Sequence, residues 1–185
     1  MDKIKPKELP EYYYWDYFGF ILNFIQKHYL SILSSEELQF LQIFQSISFE
    51  SQCLLIRLGS RKPIWFHQEK IKYPELKAIN EAFNQLFNEH LIRNVSNVSI
   101  SDLLNILDEL TKEELFQLSK SIQSEKPLPK SSQRELFIDL IQSHKPEFVL
   151  QQVQSLYPDL ITLNYRTEFD FFQFLFFGSK SRDLT

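Results

Sequence analysis

A mainly α protein with at most short strands is the fold class this sequence predicts. Three observations carry it. Only 3 of the 185 residues are glycine, so tight hairpins and left-handed turns must be few. Apolar residues recur at helical spacing through most of the chain. Ser or Thr stands three residues ahead of Glu at Ser34/Glu37, Thr111/Glu114 and Ser132/Glu135, a pattern that closes helix N-termini. With 43% hydrophobic residues, a sizeable core is available and wholesale disorder is excluded.

The elements follow in order. Met1 to Pro10 is charged and bounded by proline, and reads as a loose arm. Phe18, Ile21, Leu22, Ile25 and Tyr29 fall on one helical stripe, which predicts a first helix over Glu11 to Leu30. Ser34 opens a second helix carrying Leu38, Leu41 and Phe44. Phe49 to Gly59 is dense in aliphatics and predicts a buried third helix, which Pro63 prevents from continuing. Ile64 to His67 is rich in β formers and reads as a strand or an extended link. Pro74 is expected to start an amphipathic helix with Leu76, Ile79, Phe83, Leu86 and Phe87 on one face. Leu91 to Val95 adds a short apolar tail. Helix, extended segment, helix and short strand together suggest a winged-helix-like part within a helical bundle.

The polar run Val95 to Ser101 marks a boundary, and residues 1–98 are assigned to the first domain. Leu103, Leu104 and Leu107 suggest a short helix, and Thr111 caps another through Ile122. A loop with Pro127 and Pro129 leads to a helix expected to be capped by Ser132 and Glu135. Residues 99–145 form this second region. Pro146 starts a further helix, and residues 146–185 are read as a helical linker. Six phenylalanines crowd between Phe169 and Phe177. A helix that is apolar all round needs partners on more than one side. The chain is therefore expected to be a fragment, with residues beyond Thr185 covering these rings.

Charge is distributed unevenly. Between Arg57 and Lys77 six basic residues face two acidic ones, a local balance of +4 in a chain whose total is −4. A positive island on an acidic protein points to a polyanion met at one place. Arg57, Arg61, Lys62, Lys70 and Lys72 are the candidate phosphate contacts, with Tyr73 packing on sugar or base. Trp65 is assigned to the core. A second cluster comprises Lys120, Lys126 and Lys130 to Arg134 (Lys130, Ser131, Ser132, Gln133, Arg134), four basic residues against Glu125. It precedes a helix, where unpaired N–H groups favour an anion. The competing reading of Ser132 is an ordinary helix cap.

Other chemistry is excluded or absent. The glycines are too few for a phosphate cradle of the P-loop or dinucleotide type. The single Cys53 permits no internal disulfide and reads as a small buried hydrophobe. His28, His67, His90 and His144 show no metal-ligand spacing. Glu75-Leu76-Lys77 and Pro158-Asp159 contain pieces of a metal-nuclease motif in the wrong order, so no catalytic centre is assigned. Phe18 to Ile25 is too short to span a bilayer, and no signal segment is seen, so an intracellular location is expected.

Several stretches together carry a resemblance. They are Tyr12-Tyr13, Gln52 to Leu58 (QCLLIRL), Arg61-Lys62 with Trp65-Phe66, and Lys70 to Leu76 (KIKYPEL). Leu103 to Ile122 (LLNILDELTKEELFQLSKSI), the helix near Lys130 and Phe174 to Thr185 follow in the same order. This succession resembles the N-terminal half of the Fanconi-associated nuclease family, whose members end in a virus-type replication-repair nuclease domain. The resemblance implies that residues 99–145 hold a SAP-type helix-loop-helix. It also implies a role in holding branched or 5′-flap duplex DNA for a structure-specific repair nuclease that acts on interstrand crosslinks. The nuclease and helical-repeat regions are expected outside this chain, as partners of it, and with them the Mg or Mn the chemistry needs. No cofactor and no catalytic residue are expected within the chain, which alone is expected to be inactive. The compartment would be the cytoplasm or nucleoid in a bacterium and the nucleus in a eukaryote. The alternative is a protein-interaction scaffold using the winged-helix-like part and the Phe-rich end.

Overall fold

The computed structural model describes residues 9–123 and 127–178. The expectations for the N-terminal arm, for Glu125 and Lys126, and for the end of the Phe174 to Thr185 stretch lie largely outside those residues. Among the described residues the protein is mainly helical, with one small sheet.

The helices are α1 (Tyr13–His28), α2 (Ser35–Ser46), α3 (Phe49–Gly59), α4 (Ile79–Asn88), α5 (Leu103–Glu109), α6 (Lys112–Ile122), α7 (Arg134–Gln142), α8 (Pro146–Leu156) and α9 (Arg166–Phe177). The strands are β1 (Phe66–His67), β2 (Ile92–Asn94) and β3 (Leu160–Leu163), in the order β1-β3-β2. β1 and β3 run antiparallel, with Phe66 opposite Ile161 and His67 opposite Leu160.

Local chemistry explains most boundaries. The Ser34 and Thr111 side chains accept from the N–H groups of Glu37 and Glu114, and each glutamate accepts in return from the cap backbone. Pro146 occupies the first turn of α8, where its missing N–H costs nothing.

Three expectations are corrected. The amphipathic helix does not begin at Pro74. Residues from Pro74 form a turn, and α4 starts at Ile79 with the Ala78 N–H donating to the Glu50 carboxylate. A carboxylate from another helix supplies the cap that the local sequence lacks. The Ser132/Glu135 box does not form either, because Gln133 is the residue at the start of α7 and makes no side-chain cap. Ser132 is held one residue too early, its N–H donating to the Pro129 carbonyl. Finally, residues 146–185 are not only helical: β3 lies between β1 and β2 in the sheet. Two- and three-residue strands are too short to stand as a hairpin, and β3, buried along its whole length, joins them.

The chain packs as two compact units. Among the described residues the first comprises 9–62, 73–91 and 163–178, and the second 63–72, 92–123 and 127–162. They cut across the linear divisions at 98 and 145, because the chain leaves each core and re-enters it.

In the first unit, Phe18 stacks on Phe169 with ring centroids 4.8 Å apart. Gly59 lies under the same Phe169 ring, where an added Cβ would come within 2.7 Å. Phe169 and Phe172 are fully buried, while Phe174 and Phe177 remain 44% and 39% exposed. The chain's own residues thus cover one face of the Phe-rich helix. In the second unit, Trp65, Ile106, Leu115, Phe137, Val153 and Leu160 share a core.

Candidate phosphate-binding site

α6 organises the candidate site, all of it within the second unit. Its first turn presents Lys112, Glu113 and Glu114 in succession. Lys70, from the 3-10 turn after β1, places Nζ 2.6 Å from Glu114 Oε1. Lys130 places Nζ 2.6 Å from Glu113 Oε2. Lys112 donates to the Ser131 carbonyl at 3.4 Å. One lysine from each basic cluster, 60 residues apart in sequence, thus meets a neighbouring residue of one helix turn.

Lys70 and Lys130 stay 63% and 67% exposed despite these pairings. Exposed ion pairs are worth about 0–1 kcal/mol, so these ammonium groups are exchangeable. Lys72 is exposed and has no ion pair among the described residues. Lys120 is exposed, its ammonium 5.6 Å from the Phe116 ring centre. Ser131 and Gln133 are exposed on the turn into α7.

Behind this surface Glu114 is nearly enclosed. Burial pushes its carboxyl up, but hydrogen bonds from Lys70 and Thr111 and the nearby His67 outweigh that and hold it down at about 2. His67 lies between two carboxylates: Nδ1 is 3.0 Å from both Asp159 oxygens and Nε2 is 2.9 Å from Glu114 Oε1. The Tyr157 hydroxyl donates to the Glu114 carbonyl at 2.6 Å, and burial pushes its own acidity to about 12.

Two candidate contacts have other work. Arg134 Nη2 donates to the carbonyls of Leu107, Asp108 and Leu110 at 2.9, 2.7 and 3.3 Å. That guanidinium closes the C-terminal end of α5. Arg57, in the first unit, is 34% exposed, pairs with Glu75 at 3.2 Å and lies over the rings of Tyr14 and Tyr73. Tyr73 is half-buried there and accepts from Arg61 Nη1 at 3.3 Å. Arg61 and Lys62 are exposed at the end of α3, and the Arg61 carbonyl accepts from Arg166. Trp65 is 3% exposed and belongs to the core, as its sequence context indicated. Cys53 is also buried, which pushes its thiol up to about 11.

Sequence reasoning missed Lys112 and the Glu113/Glu114 pair as organisers of the site. They read as a capping box, and nothing local signals that distant lysines dock on it. Among the described residues no three His, Cys, Asp or Glu side chains form a group that could hold a metal. No helix is long and apolar enough to cross a membrane among the described residues.

The comparisons with known proteins agree with one another. Residues 12–93 match the family described as FAN1, HTH domain. The Fanconi-associated nuclease 1 homolog of Caenorhabditis elegans is 37% identical over 79 residues, covering 41% of this chain and 9% of that protein. The homolog of Pseudomonas aeruginosa is 30% identical over 111 residues, covering 60% of this chain and 19% of that protein. The chain thus spans less than a fifth of the length of these two relatives. Among solved structures, paFAN1 bound to 2nt 5′flap DNA with gap superposes with a TM-score of 0.65 at 22% identity, over 95% of this chain and 31% of that one. A second paFAN1 complex, with 1nt 5′flap DNA, gives 0.64 over 93% and 31%. At that identity the likeness is one of fold. Residues 12–93 are thus similar to the helix-turn-helix domain of the Fanconi-associated nuclease family.

Proposed function

We propose that this chain is a DNA-binding module that holds branched duplex DNA, such as a 5′ flap, for a structure-specific repair nuclease. The observation that carries the reading is the convergence of Lys70, Lys112 and Lys130 on the first turn of α6. Lys72 adds a further exposed charge from the same unit. Phosphates would replace Glu113 and Glu114 as partners of these ammonium groups. Such a grip reads backbone shape and not base sequence. The flap DNA held by the paFAN1 complexes supports the choice of ligand.

Cutting, crosslink repair and any Mg or Mn are assigned to regions of the longer family proteins that this chain does not match. The candidate contacts in the second unit are Lys70, Lys72, Lys112, Lys130 and Ser131, with Lys120 and Gln133 as further points; Arg61 and Lys62, in the first unit, are a separate candidate. If about four phosphates are neutralised, log K falls with log salt at a slope near −3.6, about 0.9 per contact. The test is an electrophoretic shift on 5′-flap DNA at two salt concentrations, with Lys72→Glu/Lys130→Glu beside the unaltered protein. Weaker binding and a shallower slope in the variant are expected. Equal affinity would overturn this site.

A second reading, a protein-interaction scaffold, draws on Tyr17 and Phe20, 55% and 62% exposed, beside Phe176 and Phe177 around a cavity of about 400 Å³. A salt-independent absence of any DNA shift would favour it.

A further inference from the structure

We propose that DNA binding by this protein is coupled to proton uptake at His67, through the carboxylate that His67 shares with Lys70. The inference rests on the reading of Lys70 as a phosphate contact and adds the regulation of that contact.

The geometry is specific. Glu114 Oε1 meets Lys70 Nζ at 2.6 Å and His67 Nε2 at 2.9 Å, so an ammonium and an imidazole nitrogen share one oxygen. Glu114 Oε2 is already taken by the backbone and hydroxyl of Thr111, at 2.8 and 2.7 Å. His67 is only 13% exposed, and its Nε2 is buried without an aligned hydrogen bond. The groups that face the ring are Asp159 ahead of β3, Glu114 on α6, Lys70 beyond β1 and Tyr157 at the end of α8. The Tyr157 ring is edge-on at 5.9 Å and its hydroxyl is committed to the Glu114 carbonyl. A neutral imidazole that donates from Nδ1 to Asp159 turns a bare lone pair toward Glu114. An imidazolium turns an N–H toward it instead.

While Lys70 sits on Oε1, it supplies the compensating charge and opposes a proton on the ring. Drawing Lys70 onto a phosphate leaves Glu114 with His67 as its remaining cationic neighbour. The ring then holds a proton more firmly. Reciprocity requires that the protonated protein binds DNA more tightly. The proton comes from solvent and is returned when Lys70 goes back.

The sign follows: affinity rises as pH falls across the range of about 5 to 8 in which histidine titrates. Exposed ion pairs of this kind are worth about 0.2–1 kcal/mol, which converts to an effect of up to about fivefold. Two measurements test the proposal on the full chain. The first is the affinity for a 5′-flap oligonucleotide across that pH range at constant ionic strength, for the unaltered protein and His67→Gln. His28, His90 and His144 remain in both proteins, so their contribution cancels. A pH response about two- to fivefold larger in the unaltered protein is expected. Equal responses with DNA binding intact overturn the coupling and leave the DNA reading standing. The second measurement needs no DNA: an NMR titration of the His67 ring in the unaltered protein and in Lys70→Ala. A higher midpoint in Lys70→Ala is expected, and an unchanged or lower one overturns the coupling. Absence of DNA binding by the unaltered protein would overturn the function proposed above, while this titration still decides whether Lys70 controls the proton.

Discussion

Replacing Arg134 by Met separates a structural role from a DNA-binding one. Its guanidinium donates to three carbonyls at the end of α5, a helix of 7 residues. So short a helix has little stability of its own and depends on packing and on satisfied ends. The Asp108 carbonyl lies in an exposed contact and can turn to water. The bonds to Leu107 and Leu110 are part-buried, and their carbonyls would be left without this donor. A hydrogen bond to a charged group contributes about 1.5–3 kcal/mol. With partial replacement by water, the expected loss for Arg134→Met is about 2–3 kcal/mol. Urea unfolding followed by circular dichroism measures it. With m near 2 kcal/mol/M, the midpoint should fall by about 1–1.5 M at unchanged m. The slope of log K against log salt for flap DNA should not change at conditions where the variant is folded. An unmoved midpoint together with a slope shallower by about 0.9 would refute the reasoning and return Arg134 to the phosphate contacts.

Three further outcomes are expected. The Glu114 carboxyl lies below its ordinary value when folded, so its contribution is present above about pH 5 and is lost as pH falls toward about 2. Allowing for solvent screening, this is about 1–2 kcal/mol, and the stability gap between the unaltered protein and Glu114→Gln should close on acidification. A gap that widens in acid would contradict that sign. Gly59→Ala drives a methyl into the buried Phe169 ring and should destabilise by about 1–3 kcal/mol, visible as a lower melting temperature. Charge reversal at both Arg61 and Lys62 should weaken flap binding several-fold; unchanged affinity would remove the end of α3 from the contact surface.

The helices were legible where a local pattern sufficed. α1, α2, α3, α6 and α8 have their stripes, caps or proline written within a dozen or so residues, and they form where that pattern places them. α4 was misplaced at its start because the group that receives its first N–H is Glu50, on another helix. β3 was not foreseen because three apolar residues and Thr162, bounded by Asp159 and Asn164, fit a strand or a buried turn equally well. Only the presence of β1 and β2 on either side makes it a strand.

The same division applies to the candidate site. Composition and order alone determined that positive charge is concentrated in two stretches of an otherwise acidic helical protein. Those are sums over residues and need no coordinates. Which charges face outward was decided by tertiary structure. Arg57 and Arg134 look like Lys70 and Lys130 in a charge count, yet the first two are drawn onto rings and carbonyls of their own units. The lysines remain at the surface on carboxylates they can exchange. The physical reason is that a guanidinium offers several fixed donors and a flat face, so it is readily consumed inside a fold. An ammonium on a flexible stem keeps its head in water and stays available to a phosphate.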